Sequence, residues 1–172
     1  MASEINVERV ESILGYNFRN KSLLTTALTA PHRNGLEIGG AETTDGNRRL
    51  ATLGDGVLRL IIAKDWYLAG LAQGGLFISS LRTRGDTDCV VTLTDMLINS
   101  ASNVRLCNLA TQAGIGSCLY RSPRLENITI APNTLILAMK AIVGACWLDC
   151  GEDMDYIRVP LRALGSVRSF QR

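Results

Sequence analysis

Apolar residues recur at helical spacing along most of the chain. Ile5, Val7, Val10, Ile13 and Leu14 mark one face of a first helix, and Gly15 supplies its C-terminal stop. Ser22 to Leu28 reads as a short second helix closed by the Ala30-Pro31 step. Residues 33–46 hold Gly35, Gly39, Gly40 and Gly46 with few large apolar groups, and read as a loop. The pattern is strongest from Asn47 to Leu71, through Leu50, Leu53, Val57, Leu58, Leu60, Ile61 and Ile62. Gly54 and Gly56 each cost that helix about 1 kcal/mol relative to Ala, which predicts close packing by a neighbour. Leu76 to Leu81 and Leu93 to Ile98 are further helix candidates, separated by the polar stretch 82–88. Val104 to Ala113 repeats the spacing and stops at Gly114, while Pro123 and Pro132 mark 120–133 as a connection. Thr134 to Asp149 is apolar nearly all round and predicts a buried helix; Tyr156 to Leu164 is a last helix before Gly165. The expected class is all-α. No internal repeat or long linker divides the chain, so one domain over 1–172 is expected.

Composition narrows this little. The chain has 172 residues, 47% hydrophobic and 20% charged, which suits one packed core rather than disorder. A net charge of +2 lacks the basic bias that usually marks a nucleic-acid binder. Only 5% of residues are aromatic, and Trp66, Tyr67 and Trp147 lie in apolar helical runs that predict core positions. The N-terminus lacks a signal-peptide pattern, and the run from Thr134 to Leu148, interrupted by Lys140, is shorter than the roughly 20 residues of a membrane span. Five cysteines without a CxxC pair are expected as reduced thiols. An intracellular protein with no membrane partner is expected, the compartment unresolved. Asn127-Ile128-Thr129 and Arg84-Gly85-Asp86 match a glycosylation and an adhesion motif by coincidence.

Four segments carry a resemblance. Leu14-Gly15-Tyr16-Asn17-Phe18, with Leu23-Leu24 and Ala27-Leu28-Thr29, opens the series, and Asn47 to Gly56 (NRRLATLGDG) is its second member. Asn103, Leu106, Ala110 and Gly114-Ile115 make the third, and Ala141 to Gly151 (AIVGACWLDCG) the fourth. In this order they resemble the ribonuclease III catalytic domain over about Val7 to Gly151. The resemblance implies an all-helical endonuclease-domain fold, a homodimer and double-stranded RNA as substrate.

That family cleaves RNA with Mg²⁺ held by carboxylates on two facing helices, as an oxygen-preferring cation requires. The matching positions here are Ala51 and Asp55 on the first helix and Leu137 and Lys140 on the second, with Arg48 where the family signature has a further Glu. The family pattern puts −4 on the four ligand positions. Here Asp55 (−1) and Lys140 (+1) sum to zero, since Ala51 and Leu137 are neutral. The resemblance therefore predicts a degenerate member, a pseudoenzyme that does not cleave duplex RNA and needs no cofactor or metal. It also predicts that Asp55 and Lys140 pair where relatives hold a cation, with Arg48 and Arg49 as competing cations.

Other departures point the same way. The lone His32 is displaced from the family position, and Thr52 stands where the family has a Phe that plugs its partner subunit. An insertion spans roughly 83–101, and with the sequence ending at Arg172 no RNA-binding domain is expected to follow. The dimer is expected on Leu50, Thr52, Leu53, Gly54, Gly56 and Val57. RNA contacts are expected from Arg48, Arg49, Arg82, Arg84 and Lys140, helped by a basic tail of Arg158, Arg162, Arg168 and Arg172; a charge of +2 equally suits ordinary solvated side chains. Three functions follow: a homodimeric scaffold or RNA-associated protein, such as a ribonucleoprotein component; an active endonuclease drawing displaced ligands from Glu42 or Asp45; or a helical module that binds protein alone.

Overall fold

A computed structural model describes residues 2–31, 36–38, 41–43, 45–72, 101–121 and 129–165. The expectations placed on 73–100, including the helices at Leu76 and Leu93, Arg82 and Arg84, lie outside these residues, as do those on His32, Arg168 and Arg172. The elements are α1 (Ala2–Leu14), α2 (Lys21–Leu28), the strands β1 (Leu36–Ile38) and β2 (Ala41–Thr43), α3 (Arg48–Ala72), α4 (Asn103–Gln112), a 3-10 turn (Ile115–Cys118), α5 (Pro132–Asp149) and α6 (Arg158–Ala163).

The class is all-α with one small exception. Residues 33–46, read as loop, contain two short antiparallel strands in which Leu36 faces Thr43 and Ile38 faces Ala41. A three-residue strand carries too little alternation to stand out from a glycine-rich loop.

α5 lies at the centre and packs against α3, α4 and α2. Met139 and Ile142 on α5 are fully buried with Leu58 and Ile61 of α3, Leu106 of α4 and Leu24 of α2. This is why its sequence is apolar on every side: a helix surrounded by helices has no solvent stripe. Its start needs no side-chain cap, because Pro132 sits in the first turn, where a missing N–H costs nothing. Ser102 caps α4 by accepting a hydrogen bond from Arg105 N at 3.3 Å. Gly114, at φ +67°, turns the chain after α4 in a left-handed conformation that a side chain would strain.

Two buried carboxylates hold the turn between α1 and α2. Asp149, the last residue of α5, accepts hydrogen bonds from Tyr16 Oη at 2.7 Å, Arg19 N at 2.9 Å and Asn20 N at 2.7 Å. Burial pushes its carboxyl upward in pKa, but these donors outweigh burial and hold it below the ordinary aspartate value. Glu11 accepts from Phe18 N at 2.8 Å and pairs with Lys21 at 3.4 Å. Asn20 then caps α2.

α6 is tied to α3 by charge. Arg158, expected in a basic tail, is an element of the fold: its guanidinium grips Asp65 through two hydrogen bonds, of 2.9 and 2.5 Å. That bidentate contact takes the arginine out of any solvated tail. No helix among the described residues is long and apolar enough to cross a membrane.

Candidate functional site at the crossing of α3 and α5

α3 and α5 cross where each carries a glycine. A Cβ built on Gly54 would overlap the Lys140 carbonyl and lie 2.8 Å from Gly144 N; one on Gly144 would overlap the Leu50 carbonyl. Backbones this close set the register of the helices and bring the residues beside the glycines together. Lys140 Nζ lies 2.9 Å from Asp55 Oδ1. The same ammonium donates to Asn103 Oδ1 at 3.1 Å, so three helices converge on it. Arg59, one turn along α3, donates from Nε to Asp55 Oδ2 at 2.9 Å.

Lys140 is the more enclosed partner, with 16% of its side chain exposed against 27% for Asp55 and 58% for Arg59. An ammonium in an apolar helix must reach an anion or water, and this one reaches Asp55 at the edge of the core. Burial raises the Asp55 pKa, but contact with Lys140 and Arg59 outweighs it and holds the carboxyl below its usual value. The Lys140 contact acts as a charge pair more than a directed hydrogen bond, because Asp55 Oδ1 has no hydrogen bond of good angle among the described residues.

The other expected site residues add no charge partner to this cluster among the described residues. Ala51 is buried in the helix contact and Leu137 packs half-exposed on the core. Arg48 and Arg49 are exposed at the start of α3. Neither competes for Asp55: Arg49 pairs with Asp45 at 3.2 Å. The competitor is Arg59. Its spacing of four residues from Asp55 is a signal the sequence carried, since such positions share a helix face. Asn103, noted only as a motif residue, is part of the cluster. Asp45, a candidate displaced ligand, is committed to Arg49.

The expected dimer residues divide by helix face. Leu50, Gly54 and Val57 turn inward against their own core; Thr52 and Gly56 are exposed and Leu53 is intermediate. The close approach predicted by the glycines is real for Gly54 and is made within the chain, whereas a Cβ on Gly56 would meet open space. Tyr67, expected in the core, is 61% exposed on the outward side of α3, which also carries Leu60 at 52%. Trp147 does pack on the core.

The donor set does not fit a divalent cation. Among the described residues no three His, Cys, Asp or Glu side chains gather as a metal site, and the one carboxylate at the crossing already faces two cations. A hard cation seeks several oxygens and is repelled by an ammonium at contact distance.

A helical domain with a near-central apolar helix crossed by a long helix bearing NxRLxxLGD defines a nuclease-domain class, and comparison with known proteins agrees. The crystal structure of the nuclease domain of ribonuclease III from Campylobacter jejuni superposes with a TM-score of 0.67 at 25% identity, covering 91% of this chain and 92% of that one. A second structure of that domain, described as flexible in a region involved in dimer formation, gives 0.62 at 27% identity, covering 92% of this chain and 95% of that one. Ribonuclease 3 of Chlamydia felis is 32% identical over 164 residues, covering 94% of this chain and 62% of that protein. The chain spans about three fifths of the length of the curated relatives it matches. No family model matches it. The chain is ribonuclease III-like, and the likeness spans the nuclease domain.

This corrects the expectation of a non-enzyme. Relatives about 30% identical over most of the chain are named Ribonuclease 3, and substituted positions in one cleft do not establish inactivity against that relationship.

Proposed function

We propose that the chain is a ribonuclease III-type domain that engages double-stranded RNA as a homodimer, with the Asp55–Lys140 pair standing where relatives of this fold gather carboxylates. The observation that carries this reading is the α3–α5 crossing: it brings the two motif helices into register and places Asp55, Lys140 and Asn103 in one cluster. The outward face of α3, with Thr52, Gly56, Leu60 and Tyr67, is the surface for the second copy. Support comes from the Campylobacter jejuni domain, described as having a region involved in dimer formation. A ribonucleoprotein complex is a setting in which such a dimer would act.

The test is binding of a labelled RNA duplex, followed by anisotropy across a salt series. Affinity that falls linearly with log salt supports the reading, because phosphate contacts release counterions. No binding at low salt overturns it in favour of a protein-binding module. A second reading, cleavage of duplex RNA, is favoured by the relatives' name and the retained Asp55; it requires oxygen donors beyond those of this cluster. Chelator-sensitive cleavage abolished in Asp55→Asn supports it, and intact RNA with Mg²⁺ or Mn²⁺ removes it.

A further inference from the structure

We infer that Lys140 and Arg59 contact an RNA phosphate directly, taking the place of a bridging divalent cation, and that Asp55 restrains them when RNA is absent. This rests on the duplex-RNA reading above and adds the chemistry of the contact.

The donor inventory carries the argument. An ammonium has three N–H donors. Lys140 directs its charge to Asp55 and donates to Asn103, at 2.9 and 3.1 Å, which leaves one donor direction without a partner among the described residues. Arg59 spends only Nε on Asp55, and its two amino groups extend on a side chain that is 58% exposed. A guanidinium and an ammonium flanking one carboxylate carry +2 against −1, a surplus of +1 that is covalently fixed. Both groups bind phosphate oxygens strongly, the guanidinium in its planar fork and the ammonium as a point charge.

Placement along α3 extends this charge. Arg48 precedes Asp55 by seven residues, nearly two whole turns, so it projects from about the same side of the helix roughly 10 Å away. The stripe Arg48, Asp55, Arg59 therefore alternates positive, negative, positive, with Lys140 meeting it from α5. α4 starts at Asn103 with no acidic residue in its first turn, so its positive end adds to the same field. A polyanion meets net positive charge here with no ion required. Asp55 is the one opposing group, and it holds both cations in position until phosphate competes for them.

The experiment measures duplex RNA affinity of the full chain by anisotropy, in EDTA and in Mg²⁺ at matched ionic strength. Affinity in EDTA should equal or exceed that in Mg²⁺. Arg59→Met, which changes an exposed side chain, should weaken binding several-fold and reduce the salt slope by about one contact. Lys140→Met should do the same, read only if circular dichroism shows it folded. Asp55→Asn should strengthen binding, because it releases both cations. Arg9→Met, exposed on α1 and away from the α3–α5 crossing, is the control and should leave affinity unchanged. Binding that requires Mg²⁺ and is lost in Asp55→Asn overturns the direct contact but leaves the duplex-RNA reading intact. Metal-free binding indifferent to Arg59→Met also overturns it. Absence of binding under both conditions overturns the duplex-RNA reading itself.

Discussion

Gly54 of α3 and Gly144 of α5 face each other across the closest approach of their helices, with the Gly144 nitrogen 2.8 Å from where a Gly54 Cβ would stand. Asp55 follows one glycine and Lys140 precedes the other by one helical turn, so this crossing fixes the 2.9 Å separation of the pair. The ion pair is a consequence of backbone packing. Its geometry will change wherever the crossing is forced apart.

Gly54→Ala should therefore destabilise the fold by more than about 2 kcal/mol, the scale of overpacking in a closed core, and Gly144→Ala should behave alike. Gly56→Ala, two positions along on the exposed side, meets open space and should be neutral or stabilising by up to about 1 kcal/mol. Urea denaturation of the three variants checks the contrast.

Asp149 should make stability depend on acid. Its folded pKa lies below the ordinary aspartate value, so the unfolded chain takes up the proton more readily. The contribution is complete above about pH 5 and is lost as pH falls through the ordinary value of about 3.9 and then the lower folded one. Asp55 shifts in the same direction and adds to the loss. Asp149→Asn should cost about 2 kcal/mol at neutral pH, since it weakens charge-assisted hydrogen bonds from Tyr16, Arg19 and Asn20, and should flatten the acid limb of a stability-against-pH curve.

The Arg158–Asp65 contact should behave as a coupled unit. Both side chains are mostly covered, 17% and 14% exposed, and they join α6 to α3. Arg158→Met and Asp65→Asn should each cost about 2 kcal/mol, and the double variant less than the sum, because each single change strands the other partner. A double-mutant cycle in urea measures the coupling.

The dimer surface should respond to charge on the outward face of α3. Leu60→Glu or Tyr67→Glu puts a carboxylate on an exposed apolar residue without touching the core. Light scattering should show a dimer for the natural chain at tens of micromolar and a monomer for either variant. A monomeric natural chain would refute the interface.

The sequence by itself determined the helices, because period and stop signals are local: α1 ends where Gly15 stands, α3 begins within one residue of the expected Asn47, and α5 is apolar all round because it is central. It also pointed to Asp55 and Lys140, since ordered motif segments carry positional information even where the side chains have changed. The tertiary structure decided which face of α3 turns inward. Leu50 and Val57 differ little in kind from Leu60 as letters, and only the approach of α5 separates core from surface. It decided as well that Arg59 and Asn103, not Arg48 and Arg49, complete the charged cluster, and that Arg158 belongs to the fold. The partners of Lys140 and Arg158 depend on distances of a few ångströms between elements far apart in the chain. Those distances are set by the glycine crossing and the packing around α5, which no local pattern encodes.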